Sequence, residues 1–312
     1  MINIISEYAD SSTNKVIDWL LYYNHAFNRI NADVSLKCQD IIIDNSKIKK
    51  KKDILWFRRG RIQLKNPYVV FEDEELDKDL KEQLTNEKRI LTEYVYRKIK
   101  SNSKSIGDFY KTIDLNKLNV LEKAKETGLK IPPTLITTSK ESLVTFFREH
   151  KNIITKAISD VKAFNYNRKG FIYTYTSMVE DIESLPDEFF PSLFQKNISK
   201  KYELRVFYLN KKFYSMAIFS QNDSQTKTDF RNYNFEKPNR NVPYSLPRVV
   251  KVKINKLMKV LELETGSLDL LVDENDDYYF LEINPVGQYG MVSYPCNYYL
   301  DKIIAEELIR NK

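Results

Sequence analysis

The stretch SLDLLVDENDDYYFLEIN, residues 267–284, decides the fold of the second half of this 312-residue chain. Two apolar runs of strand length flank the polar residues ENDD, which is a pattern typical of an antiparallel β-hairpin. Asp269 lies in the first run and Glu282 in the second, and Asn284 shares the face of Glu282 because it is two residues further along. The sequence therefore predicts that two carboxylates and an amide converge on one face of a hairpin.

These three side chains offer only oxygen ligands of the kind that Mg²⁺ prefers, with room left for water and substrate phosphates. A carboxylate pair would also hold two ions and neutralise a transferring phosphoryl group. The alternative is that Asp269 and Glu282 are ordinary strand residues that face solvent. Because both are flanked by apolar residues, where a lone carboxylate is costly, the pattern favours the metal interpretation.

Composition excludes several other classes of protein. Seven glycines form neither GxGxxG nor GxxxxGK[ST], so a Rossmann or P-loop phosphate site is not expected. Cys38 and Cys296 are far apart, and with two histidines in the chain they predict no zinc site. Fifty Lys and Arg against forty-three Asp and Glu leave a net charge of +7, which suits an acidic partner. A nucleic-acid partner would rest on that charge and the Lys49–Lys52 run alone, so we expect none.

The start of the chain lacks the basic segment and apolar run of a secretory signal, and no apolar stretch approaches about 18 residues. We therefore expect a cytoplasmic protein with no membrane segment.

The rest of the chain predicts a mixed α/β (α+β) protein. Residues 1–60 alternate apolar runs with a helical stretch, and residues 74–101 repeat apolar positions at helical spacing. A further helix, KLNVLEKAKETG, is expected to end at Gly128, and several strand-like runs after it predict a mostly antiparallel sheet. A last helix is predicted over residues 247–264, with Gly266 as its stop.

At this point the sequence resembles the ATP-grasp superfamily, in which a strand Asp and a Glu-x-Asn pair on the next strand hold two magnesium ions against ATP. The resemblance implies an N-terminal pre-ATP-grasp and substrate-binding lobe (1–115), a central lobe (116–195) and a C-terminal antiparallel-sheet lobe with the metal site (196–312). It places ATP between the last two lobes. Its cofactors would be ATP and Mg²⁺, as two ions.

The resemblance extends to the nucleotide site. LNKLNVLEKAKETGLKIPPT (115–134) and NIITKAIS (152–159) look like the segments that carry the two phosphate-binding lysines, here Lys117 and Lys156. LFQKNISKKYELRVFYLN (193–210) resembles the interlobe hinge. There the backbone of Gln195, Lys196, Asn197 and Ile198 would contact adenine, and Glu203 would bind the ribose hydroxyls.

Two arginines complete the site that the resemblance implies. Arg205 would face the γ-phosphate, and TDFRNY (228–233) resembles the motif of the second catalytic arginine, Arg231. Each residue also has an ordinary interpretation. Lys117 suits a solvated helix start, the arginines suit surface ion pairs, and Glu203 suits a solvent-facing strand position. Lys156 is harder to explain in this way, because its charge would need a partner within an apolar strand.

One segment departs from the ATP-grasp pattern. The family covers the phosphates with a glycine-rich loop after the second lysine, whereas SDVKAFNYNRKGFIY (159–173) contains only Gly170. Arg168 and Lys169 would supply charge where backbone amides usually do, or the segment is a plain solvated turn.

Within the superfamily, the sequence looks like the graspetide or microviridin-type ligases that macrocyclise ribosomal peptides, especially the maturases of grasp-with-spasm systems. The likeness lies in ILWFRRG (54–60), FQKNISKKYELRV (194–206) and LEINPVGQYGMVSYP (281–295). It implies that ATP phosphorylates an Asp or Glu side chain of a precursor peptide, and that a Thr or Ser hydroxyl or a Lys amine attacks the acyl phosphate. The implied partners are a precursor with a leader and a Thr/Asp/Glu-containing core, and a second copy in a homodimer.

Substrate choice rests on the first lobe. Trp56, Arg58 and Arg59 in ILWFRRG would line the acceptor site, where guanidinium groups bind acidic side chains by paired hydrogen bonds. The alternative is that Trp56 is a core residue and the arginines are solvated. A different enzyme is also open, namely an ATP-grasp ligase that joins amino acids or glutamate to a protein tail or small molecule. A nucleotide-binding protein without catalysis is disfavoured, because each metal and arginine position is filled.

Overall fold

The computed structural model describes residues 1–34, 41, 53–65, 74–101, 103–159, 163–165, 171–174, 176–221, 234 and 236–311. The basic run Lys49–Lys52, Arg231, and Arg168 to Gly170 lie outside these residues. The chain divides into two compact units, Met1–Ile113 with Tyr299–Lys312, and Asp114–Tyr298. We call them unit 1 and unit 2. The division into three lobes stays a prediction.

Unit 1 is built on a four-stranded parallel sheet in the order β2-β1-β3-β4. The long amphipathic helix predicted over residues 74–101 is confirmed. The elements are β1 (Ile2–Ser6), α1 (Ser11–Tyr22), β2 (Phe27–Asn31), β3 (Asp53–Phe57), α2 (Glu74–Ser101), β4 (Ser103–Ile106), α3 (Phe109–Ile113) and, from the end of the chain, α8 (Leu300–Arg310).

Alternate residues of the parallel strands face opposite sides of the sheet, and both sides are covered. One side carries Ile5, Leu55 and Phe57, which form a core cluster with Tyr96 of α2. On the other side Trp56 lies opposite Ile4 in the neighbouring strand, and both residues are buried. Helices α1 and α8 pack against each other.

Unit 2 contains two larger sheets and a short hairpin. The first sheet has the order β5-β10-β6-β9, the second has the order β13-β12-β11-β14-β15, and β7 pairs with β8. The elements are α4 (Lys117–Glu126), β5 (Thr134–Ser139), α5 (Lys140–His150), β6 (Ile153–Lys156), β7 (Ala163–Asn165), β8 (Phe171–Tyr173), β9 (Ser177–Met178), β10 (Glu188–Lys196), β11 (Lys200–Leu209), β12 (Lys212–Phe219), β13 (Arg240–Tyr244), α6 (Arg248–Val260), β14 (Thr265–Asp273), β15 (Tyr278–Asn284) and α7 (Gly290–Ser293).

The five-stranded sheet is antiparallel throughout, as the sequence predicted. One of its faces packs against α4 and α6 to form the largest core cluster, which includes Leu204, Leu268 and Leu270. Helix α4 ends before Gly128, whose φ of +85° is the left-handed conformation that terminates helices. This confirms the predicted stop.

The predicted stop of α6 is wrong. The helix ends at Val260, and Glu262 takes the left-handed conformation with φ of 52°. Gly266 instead lies inside β14, against the Ile283 side chain of β15. A Cβ atom at Gly266 would come within 2.9 Å of Ile283 Cδ1, so the glycine serves close packing between strands rather than a turn.

No helix in the described parts of the chain carries an apolar stretch long enough to cross a membrane.

Candidate functional site

Three ionisable side chains form a row across the five-stranded sheet. Arg205 of β11 lies directly opposite Asp269 of β14, which lies directly opposite Glu282 of β15. Residues paired in this way project from the same face of a sheet, with Cβ atoms roughly 5 Å apart. The predicted convergence of Asp269 and Glu282 on one face is therefore confirmed, and Arg205 joins them.

This face is opposite to the core face of the same sheet. In β14, Leu268, Leu270 and Val272 belong to the core cluster, whereas Asp269 and Leu271 lie on the other face and line a cleft, which Leu270 also borders. The alternation of the strand thus directs the core side chains to one face and the side chains of Asp269 and Leu271 to the other.

A β-bulge displaces one residue of β15 beside the carboxylate pair. Asp269 pairs with Glu282, but the next residue, Leu270, pairs with Phe280, so Leu281 is extra. Bulges re-aim neighbouring side chains and are frequent beside functional sites. Here Leu281 joins Glu282 in lining the cleft, while Phe280 and Ile283 on either side still face the core.

Arg205 and Asp269 form a buried ion pair. Nη1 of Arg205 donates to Oδ1 and Oδ2 of Asp269 at 2.7 and 2.6 Å, and the two residues are 9% and 8% exposed. The surface ion pair that was the ordinary interpretation of Arg205 is therefore wrong. A buried arginine beside a candidate metal ligand is suited to neutralise the negative charge of a phosphoryl group that is being transferred.

Glu203 lies two residues before Arg205 and is also buried. Its carboxylate accepts hydrogen bonds from Lys200 and from Ser220, whose Oγ is 3.2 Å from Oε1. Burial raises the pKa of Glu203 above its usual range, while the charge of Lys200 opposes the rise. The solvent-facing interpretation of Glu203 is therefore wrong, and a buried acceptor in the cleft remains.

The four-stranded sheet of unit 2 supplies the facing wall of the cleft. Lys156 of β6 pairs with Leu193 of β10, and Ile154 pairs with Gln195, so Lys156, Ile154 and Gln195 share one face. Gln195 is 1% exposed and donates from Nε2 to Thr134 Oγ1 at 2.8 Å. The opposite face of this sheet packs Ile153 and Phe194 into a separate core cluster.

The connection between β10 and β11 holds the predicted hinge residues. The backbone N–H of Lys196 donates to Pro133 O at 2.9 Å, and that of Asn197 donates to Asn152 O at 2.9 Å. Because these donors serve the sheet, contacts to an adenine ring would fall to Ile198 and to backbone carbonyl groups of the segment.

Lys117 is the first residue of α4, after the N-cap Asn116. Its Nζ is 3.5 Å from Glu282 Oε2 and donates to Ser159 O at 3.1 Å. The side chain is thus directed to the carboxylate row, in contrast to the ordinary interpretation of a solvated lysine at a helix start.

Asn284 is on the same face as Glu282, but its side chain has a local role. Oδ1 accepts a hydrogen bond from Val286 N at 3.0 Å, in the turn that follows β15. Among the described residues, no three His, Cys, Asp or Glu side chains are grouped as a metal site. A metal ion here would therefore rest on Asp269 and Glu282, with Asn284 contributing its second lone pair.

These elements enclose one cleft of about 750 Å³, counting the space at its open mouth. Of the residues predicted from the sequence, those that line the cleft are Lys156, Gln195, Lys196, Asn197, Ile198, Glu203, Asp269 and Glu282. Arg205 and Lys117 contact its carboxylates.

Sequence reasoning missed several residues of the cleft. Lys200 pairs with Glu203 three positions away because a bulge between Lys200 and Tyr202 breaks the alternation of β11. Two further kinds of contact were missed: Ser220 hydrogen-bonds to Glu203, and Leu271 and Leu281 line the cleft. The apolar run LDLL was a usable indication for Leu271, whereas no sequence pattern pointed to either bulge.

The three first-lobe candidates all lie in unit 1. Trp56 is 3% exposed within β3, which indicates a packing role. Arg58 is also 3% exposed, and its Nε is 3.4 Å from Asp10 Oδ2. Arg59 is more accessible, with Nε 3.0 Å from the same oxygen. The suggestion that both arginines are simply solvated is wrong for Arg58.

Comparison with known proteins shows which solved structures have a similar fold. No protein-family model matches the sequence, and no curated protein is significantly similar to it. Among solved structures, a Chryseobacterium gregarium RiPP-associated ATP-grasp ligase in complex with ADP and a leader and core peptide is 25% identical, with a TM-score of 0.79 over 100% of this chain and 97% of that one. The macrocyclase MdnC from Microcystis aeruginosa MRC, bound with precursor peptide MdnA, is 27% identical with a TM-score of 0.73 over 100% of both chains.

A third structure, the ATP-grasp ligase PsnB complexed with a phosphomimetic variant of its minimal precursor, Mg and ADP, is 17% identical, with a TM-score of 0.71 over 99% of this chain and 98% of that one. It supports the fold alone. A fold matched over the whole chain, together with a cleft of lysines and carboxylates, defines an ATP-dependent ligase with the ATP-grasp fold. Within that class the chain is similar to a RiPP-associated ligase and to a peptide macrocyclase, in agreement with the graspetide-type motifs of its sequence.

Proposed function

We propose that this chain is a Mg²⁺- and ATP-dependent macrocyclase of a ribosomal precursor peptide. The observation that carries the proposal is the row Arg205, Asp269 and Glu282, whose two carboxylates line one cleft with Lys156 and the hinge segment. Similarity to two ligases whose structures contain bound peptide, at 25% and 27% identity, supports the peptide as substrate.

The cleft offers distinct surroundings for the parts of ATP. Ile154, Ile198 and Leu271 provide apolar surface for adenine, and buried Glu203 is placed to accept from ribose hydroxyls. Lys117 and Lys156 would contact the phosphates. This arrangement supports ATP binding between the proposed central lobe, residues 116–195, and the proposed C-terminal lobe, residues 196–312.

The donor set fits magnesium, because two adjacent carboxylates and an amide supply oxygen ligands without nitrogen or sulfur. When bound, magnesium would neutralise phosphate charge and align the phosphoryl group. Asp269, Glu282 and Asn284 would hold it, as two ions. Arg205 also binds Asp269. Its guanidinium would therefore contact both this carboxylate and the γ-phosphate.

The proposed reaction has two steps. An Asp or Glu side chain of the peptide attacks the γ-phosphorus of ATP, forming an acyl phosphate and releasing ADP. A Thr or Ser hydroxyl, or a Lys amine, then attacks the acyl carbon, so that an ω-ester or ω-amide forms and phosphate leaves. Arg205 neutralises charge in the first step, and Arg231 is the second proposed catalytic arginine.

The peptide site is proposed to involve unit 1, where Arg58 and Arg59 would bind the acidic side chain and Trp56 would support them from the sheet. The precursor would carry a leader and a core with Thr and Asp or Glu. We further propose a homodimer and a cytoplasmic location, and no nucleic-acid partner.

A mass measurement tests this proposal. Purified protein is incubated with Mg-ATP and a synthetic leader-plus-core peptide that contains Thr, Lys and Glu. Loss of one water per ring is expected, and hydroxylamine would cleave an ester but spare an amide. A gain equal to an added amino acid would indicate the amino-acid ligase instead. Glu282→Gln should abolish the mass change, with Glu126→Gln, an exposed residue of α4, as the matched control.

A further inference from the structure

The carboxyl edge of the unit 1 sheet has the topology of a ligand site. In the order β2-β1-β3-β4, the chain leaves β1 to one side to form β2 and continues on the other side with β3. In open parallel sheets, ligands bind outside the carboxyl ends of the strands where the order reverses in this way. That point lies between the ends of β1 and β3.

Charged residues follow both strands at this point. Asp10 comes four residues after β1, and Arg58 and Arg59 follow β3 directly. Asp10 is 7% exposed and uses its two oxygens differently. Oδ1 caps α1 by accepting from Ser12 N at 2.9 Å and Thr13 N at 3.1 Å.

The second oxygen of Asp10 holds both arginines. Arg59 Nε is 3.0 Å and Arg58 Nε is 3.4 Å from Oδ2. Neither contact has hydrogen-bond geometry, so Asp10 orients both guanidinium groups by charge. Glu7, whose Oε2 is 3.9 Å from Arg59 Nη1, is partly exposed and contributes a weaker contact.

The surrounding loops are held in place. Arg29 Nη2 donates to the carbonyl oxygens of Glu7 and Tyr8 at 2.7 and 3.0 Å, which fixes the loop before Asp10. After Arg59, Gly60 has a φ of +86°, and a Cβ there would lie 2.7 Å from Ala32 Cβ. The two arginines therefore stand on a segment with little freedom, which is the requirement for a preorganised binding site.

We propose that Asp10 is a positioning residue that presents Arg58 and Arg59 as a carboxylate-binding pair for the acidic side chain of the peptide substrate. The inference rests on the proposed function for the identity of the ligand. Asp10 contacts both guanidinium groups from the protein side, and the Arg59 side chain is about one-third exposed, so it is accessible to a carboxylate of the peptide. Arginine forks recognise carboxylates with paired hydrogen bonds, which lysine does not reproduce.

A binding cycle tests the inference. Two fluorescently labelled leader-plus-core peptides, one with Glu and one with Gln at the single acidic core position, are titrated against the full-length protein in the absence of ATP. Wild type is expected to bind the Glu peptide about tenfold more tightly, as for a hydrogen bond to a charged group. In Arg59→Gln the ratio of the two dissociation constants should fall to about one, and Arg59→Lys should restore it in part.

Asp10→Asn separates positioning from capping, because asparagine caps a helix nearly as well as aspartate but carries no charge. The ratio should fall in Asp10→Asn while the melting temperature stays close to that of wild type. Ser139→Ala, which removes the cap of α5, should lower the melting temperature and leave the ratio unchanged. An unchanged ratio in both Asp10→Asn and Arg59→Gln would overturn the inference.

The outcome is distinguishable from failure of the proposed function. If wild type prefers the Glu peptide and the variants lose that preference, but Mg-ATP produces no loss of water, the carboxylate site stands and macrocyclisation does not. If Mg-ATP produces loss of water but the ratio of dissociation constants is about one in wild type, macrocyclisation stands and the carboxylate site does not.

Discussion

Arg205 and Asp269 are directly opposite residues of neighbouring strands, and one arginine nitrogen lies within 2.7 Å of both carboxylate oxygens. Both side chains are about nine-tenths buried. A buried pair of this kind costs desolvation energy that its attraction only roughly repays, so its presence suggests a use beyond stability.

The first prediction separates the contribution of this ion pair to stability from its contribution to catalysis. Arg205→Met leaves the buried Asp269 carboxylate without its arginine, and should lower the free energy of unfolding by about 3–5 kcal/mol. The double variant Arg205→Met/Asp269→Leu should recover most of that loss, because two apolar side chains replace the pair, yet it should have no ligase activity. Urea unfolding and the mass assay measure the two effects. Substantial activity in the double variant would remove both residues from the mechanism.

A second prediction concerns the lysine at the start of α4. Lys117→Met should raise the KM for ATP about tenfold, because the lost cation lies 3.5 Å from Glu282 in the cleft. Its side chain is about one-third exposed, so unfolding should change by less than about 1 kcal/mol. Lys125→Met, on the solvent side of the same helix, is the matched control. Equal KM values in the two variants would place Lys117 outside the nucleotide site.

A third prediction follows from the buried carboxyl of Glu203. Burial raises its pKa above the usual 4.5, so the native state holds this proton more tightly than the unfolded chain does. The stability that this proton contributes is complete below the unfolded pKa and is lost as pH rises through the folded pKa. The free energy of unfolding of wild type, relative to Glu203→Gln, should therefore decrease as pH rises from about 4.

Lys200 opposes the rise in the pKa of Glu203, and provides the check. In Lys200→Met the decrease should start at the same pH but extend to higher pH and be larger, because only the folded pKa of Glu203 rises further without the lysine charge. A decrease that shifts to lower pH in Lys200→Met would contradict the assignment of these two residues as partners.

A fourth prediction tests the close approach at Gly266. Gly266→Ala should destabilise the protein by about 1–3 kcal/mol, since the new Cβ meets the Ile283 side chain at 2.9 Å. Ile283→Val removes the contacting Cδ1, so the double variant Gly266→Ala/Ile283→Val should be more stable than the sum of the single effects allows. A thermal unfolding cycle measures this coupling, and strict additivity would rule out the contact.

The hairpin at residues 267–284 was predictable because its two strands alternate and its turn is polar. The long helix α2 was predictable for a similar reason, since its apolar spacing persists over many turns. Gly266 was misassigned because a glycine after a helical pattern usually ends the helix, whereas here the helix had already ended at Val260. Local sequence does not reveal that Ile283, in the partner strand, needs the space.

The convergence of Asp269 and Glu282 was predictable from alternation within their strands, whereas Glu203 was proposed only from the resemblance to the ATP-grasp superfamily. The pairing of Lys200 with Glu203, and the position of Leu281, depend on bulges. A bulge is set by the match of two strands and has no pattern of its own in either. The neighbours of Asp10 depend likewise on strand order, which brings residues about fifty positions apart to one edge.

The alternation in β14 also determines how this chain would tolerate evolutionary drift. Substitutions at Leu268, Leu270 and Val272 should be constrained by side-chain volume. Exchanges there that conserve volume should leave catalytic activity unchanged. Substitutions at Asp269 and Leu271 should be constrained by chemistry and leave the fold intact. In a saturation library, therefore, abundance in the cell and catalytic output should vary independently along this strand, with a period of two residues.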